Sequence, residues 1–127
     1  MAKRNRKKTR RRTGDFNPKA FTPHGYAQDF YDWANQKYFK YQLPHVAVGF
    51  YKERNMDYYG CSFTPIKAKF VHTVVLNPYF KDWSKVNRIT LLHEMVHVKL
   101  NGRHGHGPKF KKELRRLILA GAFDDLL

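Results

Sequence analysis

The chain has 127 residues and a mass of 15.1 kDa, which is the size of one domain. A hydrophobic fraction of 42% supplies a core and excludes a wholly disordered chain. A formal net charge of +15 favours a polyanionic partner. The one cysteine excludes an intrachain disulfide and a four-cysteine zinc site. We expect no membrane span and no secretory signal, because apolar runs are short and the N-terminus is charged.

Positive charge is concentrated at the N-terminus. Residues 3–12 contain eight basic residues and no acid, and without them the net charge falls from +15 to +7. A block of like charge repels itself and lacks apolar anchors, so we predict a flexible basic arm over residues 1–13 and one folded domain over residues 14–127. The predicted nucleic-acid contacts of this arm are Lys3, Arg4, Arg6, Lys7, Lys8, Arg10, Arg11 and Arg12.

Helical spacing of large apolar residues follows the arm. Thr22 before Pro23 is typical of a helix start, and the pattern predicts a helix over roughly residues 23–39. The helix should end before Leu43 and Pro44. The predicted inner stripe consists of Tyr26, Phe30, Trp33, Ala34 and Lys37, widened by Ala27, Tyr31 and Tyr38.

Three strand-like runs come next, over residues 46–51, 58–64 and 70–76. Because no helix separates them, they predict a small, mainly antiparallel sheet of three strands. Cys61 lies on an apolar face of the second run, and we interpret it as a small buried hydrophobic residue.

Two further helices complete the predicted fold. One spans about residues 85–100 and carries apolar residues on most sides, so it should be buried. The other opens at Pro108 and places Lys109, Lys112 and Arg116 on its outer side. The order of elements predicts an α+β domain with an N-terminal helix, a three-stranded sheet, a buried helix and a C-terminal helix.

The buried helix contains the sequence H-E-x-x-H, from His93 to His97. Histidines four residues apart share one helix face, so both imidazoles can bind one Zn²⁺ ion. Glu94 lies about 100° further round the helix, where its carboxylate can activate a zinc-bound water as a general base. Burying these three polar groups without partners would cost several kcal/mol, at order of magnitude, which favours a metal site.

A catalytic zinc ion needs a third protein ligand from outside this helix. His104 and His106 both follow the glycine that ends the helix, and their spacing does not distinguish them. The extended zincin motif would place glycine and histidine where the chain has Leu100 and Arg103, so that motif is absent.

The chain resembles the SprT-like zinc metalloprotease family over most of residues 24–119. The resemblance rests on NQKYF at residues 35–39, on LLHEMVH at residues 91–97 and on GHGPKF at residues 105–110. Some members of that family carry a cysteine-rich zinc ribbon or long C-terminal tails, which have no counterpart in this chain.

The resemblance implies a zincin-like minimal metalloprotease domain. It implies His93, His97 and His106 as zinc ligands and Glu94 as the catalytic base. It therefore favours His106 over His104, which the spacing left open.

The predicted function is zinc-dependent hydrolysis of peptide bonds in a protein substrate at or near nucleic acid, DNA or RNA. We expect the protein inside the cell, in the cytoplasm, at the nucleoid or, for a viral protein, in the host cell. One alternative is a non-enzymatic nucleic-acid-binding or virion protein with a structural metal site. Another is a different zinc hydrolase such as a peptide deformylase, with Cys61 as a ligand.

Overall fold

The computed structural model describes residues 12–13, 17–52, 59–64, 71–77, 85–101 and 105–126, the first two by their backbone alone. Its α-helices are α1 (Gly25–Phe39), α2 (Lys85–Lys99) and α3 (Pro108–Leu119), with a 3-10 helix at Pro18–Ala20. Its strands are β1 (Arg12–Thr13), β2 (Phe21–Pro23), β3 (Ala47–Tyr51), β4 (Gly60–Thr64) and β5 (Thr73–Leu76). The predicted α+β class is confirmed.

The strands form one mixed sheet in the order β1-β4-β5-β3-β2. Strands β3 and β5 run parallel, with Val48 beside Val74, whereas β4 and β5 run antiparallel, with Cys61 beside Val75. Strand β2 pairs antiparallel with β3, and β1 pairs parallel with β4. The predicted three-stranded, mainly antiparallel sheet is therefore wrong in strand number and in direction. An apolar run indicates a strand, but the direction of its neighbour depends on how the chain connects them.

Strand β2 occupies the predicted start of the first helix. Pro23 pairs with Gly49, where a side chain would place its Cβ 2.3 Å from the carbonyl oxygen of Thr22. Glycine therefore permits the close approach of β2 to β3. Helix α1 is capped by His24 instead, since the backbone N–H of Ala27 donates to its Nδ1 at 3.1 Å. Histidine is not a preferred N-cap, which is why the Thr-Pro pair was the stronger signal.

Helix α1 buries only part of the predicted stripe. Ala34 of the inner stripe lies in the core with Ala27 and Tyr31, which were expected to widen it, whereas Tyr26 is 71% exposed and Trp33 is 46% exposed. All five positions have helical spacing, so the sequence pattern does not separate the buried ones from the exposed ones. The hydroxyl of Tyr31 donates to the carbonyl oxygen of Pro44 at 2.7 Å, which satisfies the buried phenol.

The side chain of Gln28 links α1 to β3. Its amide nitrogen donates to the carbonyl oxygen of Val46 at 3.0 Å, and its amide oxygen accepts from the backbone N–H of Val48 at 3.0 Å. The amide thus satisfies one donor and one acceptor of the strand, and this fixes the position of the helix along the sheet.

Helix α2 lies in the core, as predicted. It packs against α1, α3, β4 and β5. Its fully buried apolar side chains are Leu91, Leu92, Met95, Val96 and Val98. Close packing on several sides restricts side-chain motion, so α2 is a rigid platform for the polar residues in its second half. No helix in the described part of the chain is long and apolar enough to cross a membrane.

Most of the predicted basic arm lies outside the described residues. Arg12 and Thr13, its last two residues, form β1 beside Phe63 and Thr64. The other seven predicted nucleic-acid contacts, from Lys3 to Arg11, lie outside the description, and so does the predicted domain boundary at residue 14.

Candidate metal centre

Helix α2 brings two histidines to one face. His93 and His97 lie one helical turn apart, and their ring centroids are separated by 5.0 Å. His97 is buried and His93 is partly buried. Burial, together with the nearby His106 ring, lowers the pKa of His93 from 6.5 to about 4. The imidazole is therefore neutral at pH 7, and its nitrogen keeps the lone pair that a metal ion requires.

His106 reaches the same point from the segment between α2 and α3. Gly105 precedes it with a φ of +49°, a left-handed conformation that glycine adopts without steric strain. The Nε2 atom of His106 lies 3.1 Å from that of His93 and 3.2 Å from that of His97. The structure therefore brings together the three predicted ligands. His104 lies outside the described residues.

The spacing of the three nitrogens fits one metal ion. The candidate ligand atoms all lie within 4.8 Å of one another. Two nitrogens that bind a tetrahedral zinc ion at ~2.05 Å are ~3.3 Å apart. A ring nitrogen carries either one hydrogen or one lone pair, so Nε2 of His106 cannot form good hydrogen bonds to His93 and His97 at once. A cation can attract all three lone pairs, and imidazole is a ligand that zinc favours.

Phe110 forms the apolar side of the centre. Its ring centroid lies 4.9 Å from that of His93, 4.7 Å from that of His97 and 4.7 Å from that of His106. Phe110 is itself buried in the main core cluster, so it can hold all three imidazoles against a fixed surface. Phe110 entered the sequence analysis only as the last residue of the motif GHGPKF, with no role at the site. Its position four residues after His106 was the available signal.

Glu94 lies on α2 directly after His93 and is 3% exposed. Successive helical residues differ in direction by about 100°, so Glu94 lies beside the face that carries the histidines. A buried carboxylate loses its hydration, and a cation bound to the adjacent histidines would offset part of that loss. This arrangement suits a group that takes a proton from water near the ion.

Lys99, Glu113 and Arg116 join the two helices that flank the ligand segment. Glu113 on α3 is 8% exposed, and Lys99 on α2 donates to its carboxylate at 3.0 Å. The Nε atom of Arg116 donates to both carboxylate oxygens, at 3.1 and 3.0 Å. Burial alone would raise the pKa of Glu113, but the hydrogen bonds and charges of Arg116 and Lys99 lower it overall. Lys99 lies two residues after His97, so this cluster holds the end of α2 against α3.

Cys61 is not part of the three-histidine group. It is fully buried on β4, where its Sγ lies 3.5 Å from the carbonyl oxygen of Ser62. It packs with Tyr51, Phe63 and Val75 in a small apolar cluster. The interpretation of Cys61 as a buried hydrophobic residue is confirmed, and this weakens the deformylase alternative, which needs a cysteine ligand.

The fold and the site define a small α+β domain with a candidate three-histidine metal centre beside a buried glutamate. A model of the SprT-like family matches residues 27–122, which is most of the chain. The protein therefore belongs to the SprT-like family, as the motifs implied. Comparisons with curated proteins and with solved structures found no match.

Proposed function

We propose that this protein is a zinc-dependent metallopeptidase with a zincin-like active site. The observation that carries the proposal is the convergence of three Nε2 atoms, on His93, His97 and His106, beside the buried Glu94. Membership of the SprT-like family supports it, because that family consists of metalloprotease-like domains.

The three histidines would hold the ion. Bound zinc supplies a Lewis acid that polarises a carbonyl oxygen and lowers the pKa of water. Glu94 accepts a proton from the attacking water as the new C–O bond forms, and then delivers that proton to the leaving amine as the C–N bond breaks. Phe110 limits rotation of the imidazoles and keeps bulk water from that side of the site.

We propose that the substrates are proteins at or near nucleic acid. The net charge of +15 supports this part of the proposal, since basic side chains bind the phosphates of DNA or RNA. The eight basic residues of the arm would supply part of that attraction, in the cytoplasm or at the nucleoid.

The first test compares wild type with Glu94→Gln. Both proteins should bind one zinc ion, because Glu94 is not a ligand in this proposal. Cleavage of a DNA-binding protein, assayed with and without DNA, should fall by about 10²–10⁴-fold in the variant, the usual contribution of a general base. Equal cleavage by both proteins would refute the enzymatic role of Glu94.

The second test addresses the metal. His106→Ala should weaken zinc binding by more than about 100-fold, beyond the loss expected from an outer hydrogen-bond partner. His45→Ala is the matched control, because His45 is exposed and lies outside the three-histidine group. A chelator should abolish cleavage, and added zinc should restore it. Wild-type protein that binds zinc but cleaves nothing would favour the alternative of a nucleic-acid-binding protein with a structural metal.

A further inference from the structure

We propose that the outer face of α3 binds the phosphate backbone of duplex nucleic acid, next to the metal centre. The surface consists of Lys109, Lys111, Lys112 and Arg115, which we call the α3 basic surface. All four residues are exposed. Helix geometry spreads them over an arc of about 160° on the side opposite the buried residues of α3. They are separate from the N-terminal arm, so they form a second positive region on the folded domain.

The α3 basic surface has no acidic partner in the described part of the chain. The ion pairs found there on α2 and α3 join Lys99 and Arg116 to Glu113, and none includes a residue of this surface. Glu113, the acid within α3, is buried on the inner side. Among the described residues beyond α3, Asp124 and Asp125 follow its C-terminal end, away from the metal centre. These four exposed charges are therefore not neutralised by any residue that the structure describes.

The spacing of these charges destabilises the free helix. Lys111 and Arg115 are four residues apart, and like charges at this spacing repel. A solvated helix face usually alternates positive and negative charges, which avoids this repulsion. A polyanion bound to the surface would remove it, and the pattern therefore favours a charged partner over simple solvation.

A nucleic-acid duplex fits this surface better than a single strand does. Helix α3 has 12 residues, so it is about 18 Å long and spans roughly five base-pair steps. Single strands bind largely by stacking on exposed aromatic rings. The α3 basic surface contains none, and the exposed Tyr26 and Trp33 lie on α1, beside the exposed Asp29 and Asp32.

A membrane surface fits less well. An interfacial helix inserts its apolar face into lipid. The inner apolar residues Phe110 and Leu117 of α3 are instead buried in the core. Its exposed apolar residues are Ile118 and Leu119, at the end far from Lys109, and two residues do not make a continuous apolar face.

The location of the surface connects it to the proposed chemistry. Lys109 and Lys111 flank Phe110 along the chain, and the Phe110 ring contacts all three imidazoles. A duplex on this surface would hold any protein bound to it close to the three histidines. This inference rests on the proposed function and specifies its substrates as proteins bound to duplex nucleic acid. Binding of the duplex itself requires no hydrolysis and can be tested separately.

The experiment measures binding of a DNA duplex of about 20 base pairs, roughly two helical turns, across a range of salt concentrations. The full chain is used with Glu94→Gln, so that cleavage plays no part. The test variant adds Lys109→Gln, Lys111→Gln, Lys112→Gln and Arg115→Gln. The matched control adds Lys19→Gln, Lys37→Gln, Lys52→Gln and Lys85→Gln, four exposed residues elsewhere. Both sets lower the net charge by four, from +16 in the Glu94→Gln background to +12, since the natural chain has +15.

We expect the test variant to bind the duplex at least about tenfold more weakly near 0.1 M salt. The slope of log K against log salt concentration should become less negative by about 3–4, because each lost phosphate contact changes it by ~0.9. The control should change by much less. An equal loss of duplex affinity in both variants would show that only net charge matters, and would refute binding at the α3 basic surface. The choice of a duplex would be refuted if single-stranded DNA bound the parent protein as tightly as the duplex and lost as much affinity in the test variant.

A second measurement localises the contact without substitutions. Lysine modification followed by mass spectrometry should show that the duplex protects Lys109, Lys111 and Lys112, while Lys19 and Lys52 stay reactive. Zinc content and thermal unfolding of both variants show whether the fold is retained. Absence of this protection, or protection by anionic vesicles and not by the duplex, would overturn the inference.

Discussion

The 12 residues of α3 form two faces with different roles. On the inner face, Phe110 contacts the three imidazoles and Glu113 is paired with Lys99 and Arg116. On the outer face, four basic side chains have no acidic partner among the described residues. Charge is thus compensated where it is buried and left uncompensated where a partner can reach it.

Because the two faces differ, the stability of the protein and its binding of polyanions should depend on different residues of α3. Inner residues should determine the free energy of unfolding and the geometry of the metal centre. Outer residues should affect stability little, or in the opposite direction, and should affect the attraction to polyanions. The following changes test that separation in order of expected effect.

The largest effect is expected from Phe110→Ala. Removal of a buried phenylalanine lowers the free energy of unfolding by about 3–5 kcal/mol, and Phe110→Leu should lower it by about 1–1.5 kcal/mol. Urea unfolding of the metal-free protein measures both. Tyr26→Ala is the control, since an exposed aromatic residue on α1 should change stability by no more than about 0.5 kcal/mol.

Phe110→Leu also separates packing from positioning. This variant should fold yet bind zinc about 10–100-fold more weakly, because the imidazoles lose their flat contact surface. Unchanged zinc affinity would show that Phe110 contributes to the core alone.

A smaller effect is expected from Glu113→Gln. Loss of the carboxylate should lower the free energy of unfolding by about 1–2 kcal/mol at pH 7, reduced from the value for fully buried pairs because Lys99 and Arg116 are partly exposed. Asp125→Asn, at an exposed acid near the same end of the chain, should have almost no effect.

The effect of Glu113→Gln should depend on pH. The folded protein lowers the pKa of Glu113 below its usual 4.5, so this carboxylate stabilises the fold above that pH. The contribution disappears as the pH falls through the lowered pKa. The difference between wild type and variant, measured by urea unfolding, should therefore be constant near neutral pH and shrink as the pH falls below 4.5. A difference independent of pH would mean that the ion pairs contribute nothing.

The smallest effect is expected from Lys111→Gln on the outer face. Removing its repulsion with Arg115 should raise the free energy of unfolding by about 0.2–0.5 kcal/mol. Lys37→Gln on α1 should have the opposite sign, because the ammonium group of Lys37 lies 5.4 Å from the Trp33 ring centroid and that contact stabilises the helix. Thermal unfolding measures the stability of both variants. Destabilisation by Lys111→Gln would contradict the proposed difference between the inner and outer faces of α3.

Several features of the fold followed from local sequence pattern. The three α-helices were predicted close to their observed ranges, and α2 was expected to be buried. The inner stripe of α1 was right for Ala34 and wrong for Tyr26 and Trp33, because Tyr26 and Tyr31 both occur at helical spacing and only packing selects between them. Strand β2 was missed because Thr22 and Pro23 match a helix start better than a three-residue strand.

In the candidate site, too, some features followed from local sequence and others depended on packing. His93, Glu94 and His97 were identified from one helical turn of sequence, because their relation depends on helix geometry alone. The choice between His104 and His106 could not be made from spacing, and it came from family resemblance. The role of Glu113 could not be predicted, since it depends on a contact between separate helices. The role of Phe110 was missed, since its spacing from His106 indicates proximity but its contact with His97 on α2 depends on packing.

The sequence by itself determined the helices, the H-E-x-x-H group, the excess positive charge and the family, because each is a local or compositional property. Tertiary structure alone decided the mixed strand order, the face that α1 buries and the meeting of His106 with α2. It also decided that Glu113 is paired with Lys99 and Arg116, while no described acid is paired with the outer cations of α3. These outcomes depend on which distant residues pack together, and burial changes the free energy of a charge far more than sequence neighbours do.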